Sequence, residues 1–89
     1  MYKIHRDNVN LSNWTNTSDK IPEQNSLVRA LYYSEEPQEF NICLLRFYKT
    51  FSQHQTLGRW EGEENYIKSQ TPVEYYAPIY WQLASSSII

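Results

Sequence analysis

The stretch from Phe40 to Phe51 constrains this chain more than any other part of it. It reads Phe-Asn-Ile-Cys-Leu-Leu-Arg-Phe-Tyr-Lys-Thr-Phe, without Gly or Pro. A continuous apolar run is compatible with a buried helix or a strand, and its aromatic and branched side chains favour a long central strand. Leu27 to Tyr33 has the length, apolar content and flanking turn residues of a second strand. Ser34 to Glu39, containing Pro37, is a short connection, so the two segments are expected to pair as an antiparallel hairpin.

The remaining segments supply shorter pieces. Tyr2 to His5 is expected to form an edge strand. Asp7 to Ser26 is rich in Asn, Ser, Thr, Asp, Pro and Gln, side chains that bond to nearby backbone and stabilise turns. Pro22 steers Ile21 away from helical dihedrals. An ordered loop follows from this, with Trp14 as its anchor to the core. Gly58-Arg59-Trp60 starts a third strand that Gly62 interrupts, and Glu63 to Ser69 has room for one or two helical turns. Pro72 and Pro78 bracket Val73 to Tyr76. Ile79 to Leu83 reads as a last strand whose alternation puts Ile79, Trp81 and Leu83 on one face, and the prolines suggest edge positions. The expected architecture is one domain over residues 1–89, mainly β, with at most a short helix. Its centre is a single twisted antiparallel sheet of roughly four to five strands, curled toward a small barrel. Residues 85–89 form a tail ending in Ile88 and Ile89.

A chain of 89 residues has one small core, burying only about two-thirds of its unfolded surface. Eight Tyr, three Trp and three Phe offset the short length, because such rings carry a large burial payload. Net charge is -2, and the basic residues are scattered singly, which disfavours generic nucleic-acid affinity. Acids gather at Glu35, Glu36 and Glu39 and again at Glu61, Glu63 and Glu64. They read as solvated turns or as a face for a basic partner. Cys43 is the only cysteine, so there is no internal disulfide and a reducing, cytoplasmic setting fits best. No segment approaches the roughly 20 apolar residues of a membrane span.

Chemistry has few footholds in the sequence. Neither His5 nor His54 sits at a metal-ligand spacing from another His, Cys or acid. Cys43 lies in the most apolar strand and reads as core. Gly58 and Gly62 are the only glycines, so no phosphate loop or nucleophile elbow exists. No catalytic residue, metal site or cofactor is therefore expected. Arg46-Phe47-Tyr48-Lys49 and Arg59-Trp60 interleave bases with rings as single-strand binders do, or as an ordinary amphipathic strand with snorkelling bases does.

Trp14, Ile21-Pro22-Glu23, the strand from Leu27 to Tyr32, Gly58-x-Trp60 and the late Ile79-Tyr80-Trp81-x-Leu83 together resemble a family of small phage and prophage domains of unknown function. That family carries a leading tryptophan, a Leu-Pro-Glu turn, a glycine-x-tryptophan step and a closing tryptophan. The resemblance covers residues 14–84. Ile21 stands where the family has leucine, Arg29 interrupts the first strand, and Leu83-Ala84-Ser85 lacks the proline-rich ending. The resemblance implies a phage or mobile-element origin and a compact β-rich fold, with no activity attached. Trp14, Pro22, Trp60 and Trp81 read as structural determinants.

The function expected on these grounds is a non-catalytic protein-interaction module that binds a host or phage protein, with inhibition of a host defence system as its biological form. The alternative is a small β nucleic-acid-binding domain. Candidate partner contacts are Tyr32 and Tyr33 near Glu35 and Glu36, and Tyr75, Tyr76 and Tyr80, as amphipathic anchors of the kind enriched at interfaces.

Overall fold

The long strand expected around Phe40 is the spine of the molecule. In the computed structural model, which describes residues 2–51, 56–63 and 73–85, β4 runs from Glu39 to Phe51. It is flanked on one side by β3 (Ser26–Tyr33) in an antiparallel register that pairs Ser26 with Phe47 and Tyr33 with Phe40. Its other side is shared end to end by two strands. β1 (Tyr2–His5) pairs with residues 39–42, and β5 (Thr56–Gly62) pairs with residues 45–51. The connection between β3 and β4 contains the turn with Pro37, so hairpin formation follows from local chemistry as expected.

Outward from β3 come β7 (Tyr80–Leu83) and then β2 (Thr15–Asn16), and outward from β5 comes β6 (Val73–Tyr75). The result is one open antiparallel sheet of seven strands, in the order β2-β7-β3-β4-β5-β6 with β1 beside the spine. It does not close into a barrel, and it holds more strands than the sequence announces. β2 is too short and too polar to be read as a strand. β7 corrects the edge assignment that Pro78 suggested: it lies between β3 and β2. Pro78 precedes the strand and needs no ladder donor there. Ile79 sits in a bend with its N–H bonded to the Leu31 carbonyl at 3.0 Å. It is therefore outside the alternation and packs on the opposite side from Trp81. Of the helical turns expected over Glu63 to Ser69, all but Glu63 lie outside the described residues, as do Ile88 and Ile89 of the tail.

Two apolar clusters hold the sheet, one on each face. The larger joins Val28, Ala30 and Tyr32 of β3, Cys43, Leu45 and Phe47 of β4, Trp60 and Trp81. Cross-strand neighbours share a face, which is why register brings Phe47 opposite Trp60 with ring centroids 4.6 Å apart. The loop before β3 covers this face. Pro22 is fully buried, and Trp81 Nε1 donates to the Lys20 carbonyl at 2.8 Å. Asn25 takes a left-handed φ of 66°, a conformation Asn tolerates better than most residues, and its N–H reaches the Phe47 carbonyl.

The second cluster joins Trp14, Leu31 and Phe40, with Ile4, Val9, Ile42, Ile79 and Tyr80 packed around it. Here the polar loop from Arg6 to Trp14, with two 3-10 turns at Arg6–Asn8 and Leu11–Asn13, lays its one indole, that of Trp14, onto the sheet. Arg29 interrupts the apolar pattern of β3 because it faces Gln82 across the β3–β7 pair. Arg29 Nη1 donates to Gln82 Oε1 at 3.0 Å, and buried Gln82 donates in turn to the Asn13 carbonyl. Gly58 and Gly62 each lie beneath a ring. A Cβ on Gly58 would collide with Phe47, and one on Gly62 would meet Tyr75 Cε2 at 2.6 Å.

Candidate interaction surface

The alternation of β3 decides which tyrosines can meet a partner. Successive residues of a strand point to opposite faces, so Tyr32 and Tyr33, adjacent in sequence, part company. Tyr32 is buried at 3 % exposure in the larger cluster, whereas Tyr33 is 68 % exposed. Tyr32 is thus corrected from a partner contact to a core residue. Its hydroxyl donates to the Tyr76 carbonyl at 2.6 Å, and burial, then the neighbouring Cys43, Tyr76 and Tyr75, push its phenol well above the ordinary range. Tyr75 is half-buried against the same cluster. Tyr76 is 75 % exposed and touches Tyr32 edge to face. Tyr80 is half-buried beside the second cluster.

Tyr33 is exposed yet held. The Arg6 guanidinium lies 4.3 Å from the Phe40 ring centroid and 6.0 Å from that of Tyr33, a cation–π arrangement across two rings. Arg6 also donates from Nε to the Pro37 carbonyl at 2.6 Å and from its backbone N–H to the Gln38 carbonyl at 2.8 Å. One side chain therefore ties the first loop to the β3–β4 turn. Glu35 and Glu36 stand exposed on that turn. The Ser34 hydroxyl accepts from the Glu36 N–H, and the Glu36 carbonyl accepts from the Glu39 N–H. Nothing in the sequence pattern singles out Arg6, because its role depends on the turn being brought beside it by β1–β4 pairing.

Beside Tyr33 opens a cleft of about 510 Å³, lined by residues 16–18, Tyr33 and residues 77–80. Most of its lining is apolar and none of it is charged. The Thr17 hydroxyl is buried and, among the described residues, has no hydrogen-bond partner. The Asn16 carboxamide oxygen accepts from both the N–H and hydroxyl of Ser18, and the Asn16 carbonyl accepts from the N–H groups of Asp19 and Lys20. The outer edge of β2 is thereby closed by its own turn. The sequence signal for this corner was the Asn-Thr-Ser turn chemistry, but its apposition to Pro78 and Ile79 is a product of β2–β7 pairing.

The bases interleaved with rings have other employment. Arg46 bonds the Glu63 carboxylate through Nε and Nη2, which raises its already high pKa. Lys49 pairs with Glu23 at 3.7 Å, and Arg59 pairs with Glu61 at 2.9 Å and Glu74 at 3.8 Å while stacking on Tyr48. Phe47 and Trp60 are buried. The acids at Glu61 and Glu63 are likewise committed to these pairs rather than presented as a free acidic face. Trp14, Pro22, Trp60 and Trp81 are all buried.

Among the described residues, no group of three or more His, Cys, Asp and Glu side chains is arranged to hold a metal ion, and no helix is long and apolar enough to cross a membrane. Compared with family models, curated proteins and solved structures, the chain matches none.

Proposed function

We propose that this protein is a stoichiometric protein-binding module whose contact surface is the end of the sheet carrying Tyr33, Glu35 and Glu36. The observation that carries this reading is the exposed Tyr33 ring, held beside Phe40 and the Arg6 guanidinium and followed by two exposed carboxylates. A rigid amphipathic ring costs little entropy to immobilise further, and rings of this kind anchor interfaces. Adjacent carboxylates steer a basic partner and sharpen specificity. Tyr80, which lines the same cleft as Tyr33, extends the aromatic surface, whereas Tyr76 lies against Tyr32.

A nucleic-acid reading draws less support. A single-strand platform needs rings open to bases beside uncommitted cations, and here Phe47 and Trp60 are inside while Arg46, Lys49 and Arg59 are paired. The origin in a phage or mobile element rests on the resemblance of residues 14–84 to the phage family. With it come a host or phage protein as partner, inhibition of a host defence system and a cytoplasmic site of action.

Replacing Glu35 and Glu36 together by Lys tests the reading. Capture of the cognate partner from host extract, identified by mass spectrometry, should weaken while thermal stability stays nearly unchanged, since exposed charges contribute little to folding. Undiminished capture would move the surface elsewhere. Multiple turnover of any substrate by the purified protein, abolished by a substitution that leaves the fold intact, would replace binding with catalysis.

A further inference from the structure

The cleft beside Tyr33 has a lining suited to part of a polypeptide. Its volume of about 510 Å³ falls within the usual range for binding pockets, and its uncharged, largely apolar lining rejects an isolated ion. The nearby acidic charge lies beyond Tyr33 along the chain, on the exposed β3–β4 turn. Glu35 and Glu36 follow Tyr33 in the chain within about 11 Å of it, a distance comparable to the Debye length at physiological salt. Arg6, whose guanidinium lies 6.0 Å from the Tyr33 ring centroid, is already occupied by two rings and the Pro37 carbonyl. Asp19 and Lys20, next to Ser18, offset one another.

Building on the protein-binding reading, we propose that this cleft seats an extended segment of the partner. One apolar side chain enters between Tyr33 and residues 77–80, and a flanking lysine or arginine faces Glu35 and Glu36. The segment docks through side chains rather than as an added strand at Asn16, whose carbonyl is already taken by two N–H groups of the following turn. Tyr33 is the shared element: one side of its environment is the cleft, the other the acidic turn.

Selection of short random peptides displayed on yeast against the intact protein tests this, with the enriched sequences then titrated as free peptides by NMR. Enriched peptides should carry a basic residue next to an apolar one and should shift the amides of Thr17, Tyr33, Ala77 and Ile79. Ala77→Trp, at an exposed position of the cleft, should lower their affinity by about tenfold or more, the factor that 1.4 kcal/mol represents. In the double Glu35→Lys, Glu36→Lys protein the preference should turn from basic to acidic flanks, and this preference should fade as salt rises. Failure to enrich peptides, enrichment without basic residues, or shifts confined to another face would overturn the proposal. So would a neutral oligosaccharide, titrated separately, that shifts the same amides when peptides do not. Each of these results leaves the protein-binding reading to be judged by partner capture with the Glu35 and Glu36 substitutions, so the two failures are distinguishable.

Discussion

The Tyr32 hydroxyl donates to the Tyr76 carbonyl at 2.6 Å, joining the end of β3 to the chain just beyond the edge strand β6. The two residues lie far apart in sequence, and their rings also meet edge to face with centroids 4.9 Å apart. The bond holds the 73–76 segment against the larger core by satisfying a phenol that would otherwise be buried without a partner.

Burial raises the Tyr32 pKa, and the sign of the pH effect follows. In the unfolded chain the phenol ionises near pH 10, whereas in the folded protein it keeps its proton to higher pH. Above about pH 10 the unfolded state therefore binds fewer protons, and stability falls as pH rises. Denaturant unfolding from pH 8 to pH 11 should show this decline, at up to about 1.4 kcal/mol per pH unit from this group. Tyr32→Phe should be less stable at neutral pH by about 1 kcal/mol and should lose that part of the alkaline slope. An unchanged slope would assign the decline to other groups.

Trp14 is 7 % exposed although its neighbours in the chain are polar. Trp14→Ala should cost about 3 to 5 kcal/mol, read as a shift in the urea midpoint. Trp14→Phe should cost distinctly less, because the indole N–H makes no hydrogen bond among the described residues. Equal losses for the two variants would show that the N–H matters after all.

Gly58 passes directly under the Phe47 ring, and Phe47 is fully buried with no open space into which to retreat. Gly58→Ala should therefore destabilise by about 1 to 3 kcal/mol through overpacking, exceeding the gain of about 0.4 to 1 kcal/mol expected from a less flexible unfolded chain. A companion Phe47→Leu substitution should recover part of the loss in a double-mutant cycle. Strict additivity would mean that the two sites do not meet.

Arg6→Ala removes the cation between Tyr33 and Phe40 and the tie to Pro37. Stability should fall by about 1 kcal/mol, and amide exchange should quicken at residues 34–38. On the proposed function, partner capture should fall by more than this stability loss explains, since Tyr33 loses its orientation. Arg6→Lys should restore little, because an ammonium cannot reproduce the flat contact across two rings.

The sequence by itself determined the β class, the β3–β4 hairpin and the burial of Trp14, Trp60, Trp81 and Cys43. These rest on local signals: branched and aromatic runs, a short turn with Pro37, and large rings whose burial outweighs the polarity of their surroundings. The division between Tyr32 and Tyr33 was legible in part, since strand alternation separates neighbours. Which of the two faces was covered depended on a loop arriving from elsewhere. Tertiary structure alone decided that β7 lies inside the sheet, that Thr15 and Asn16 form a strand beside it, that Ile79 leaves the alternation, and that Arg6 clamps the acidic turn. Each is a contact between distant residues. Its stability comes from backbone partners and rings supplied by another segment, and residue order encodes local preference far more directly than it encodes which distant surface will meet it.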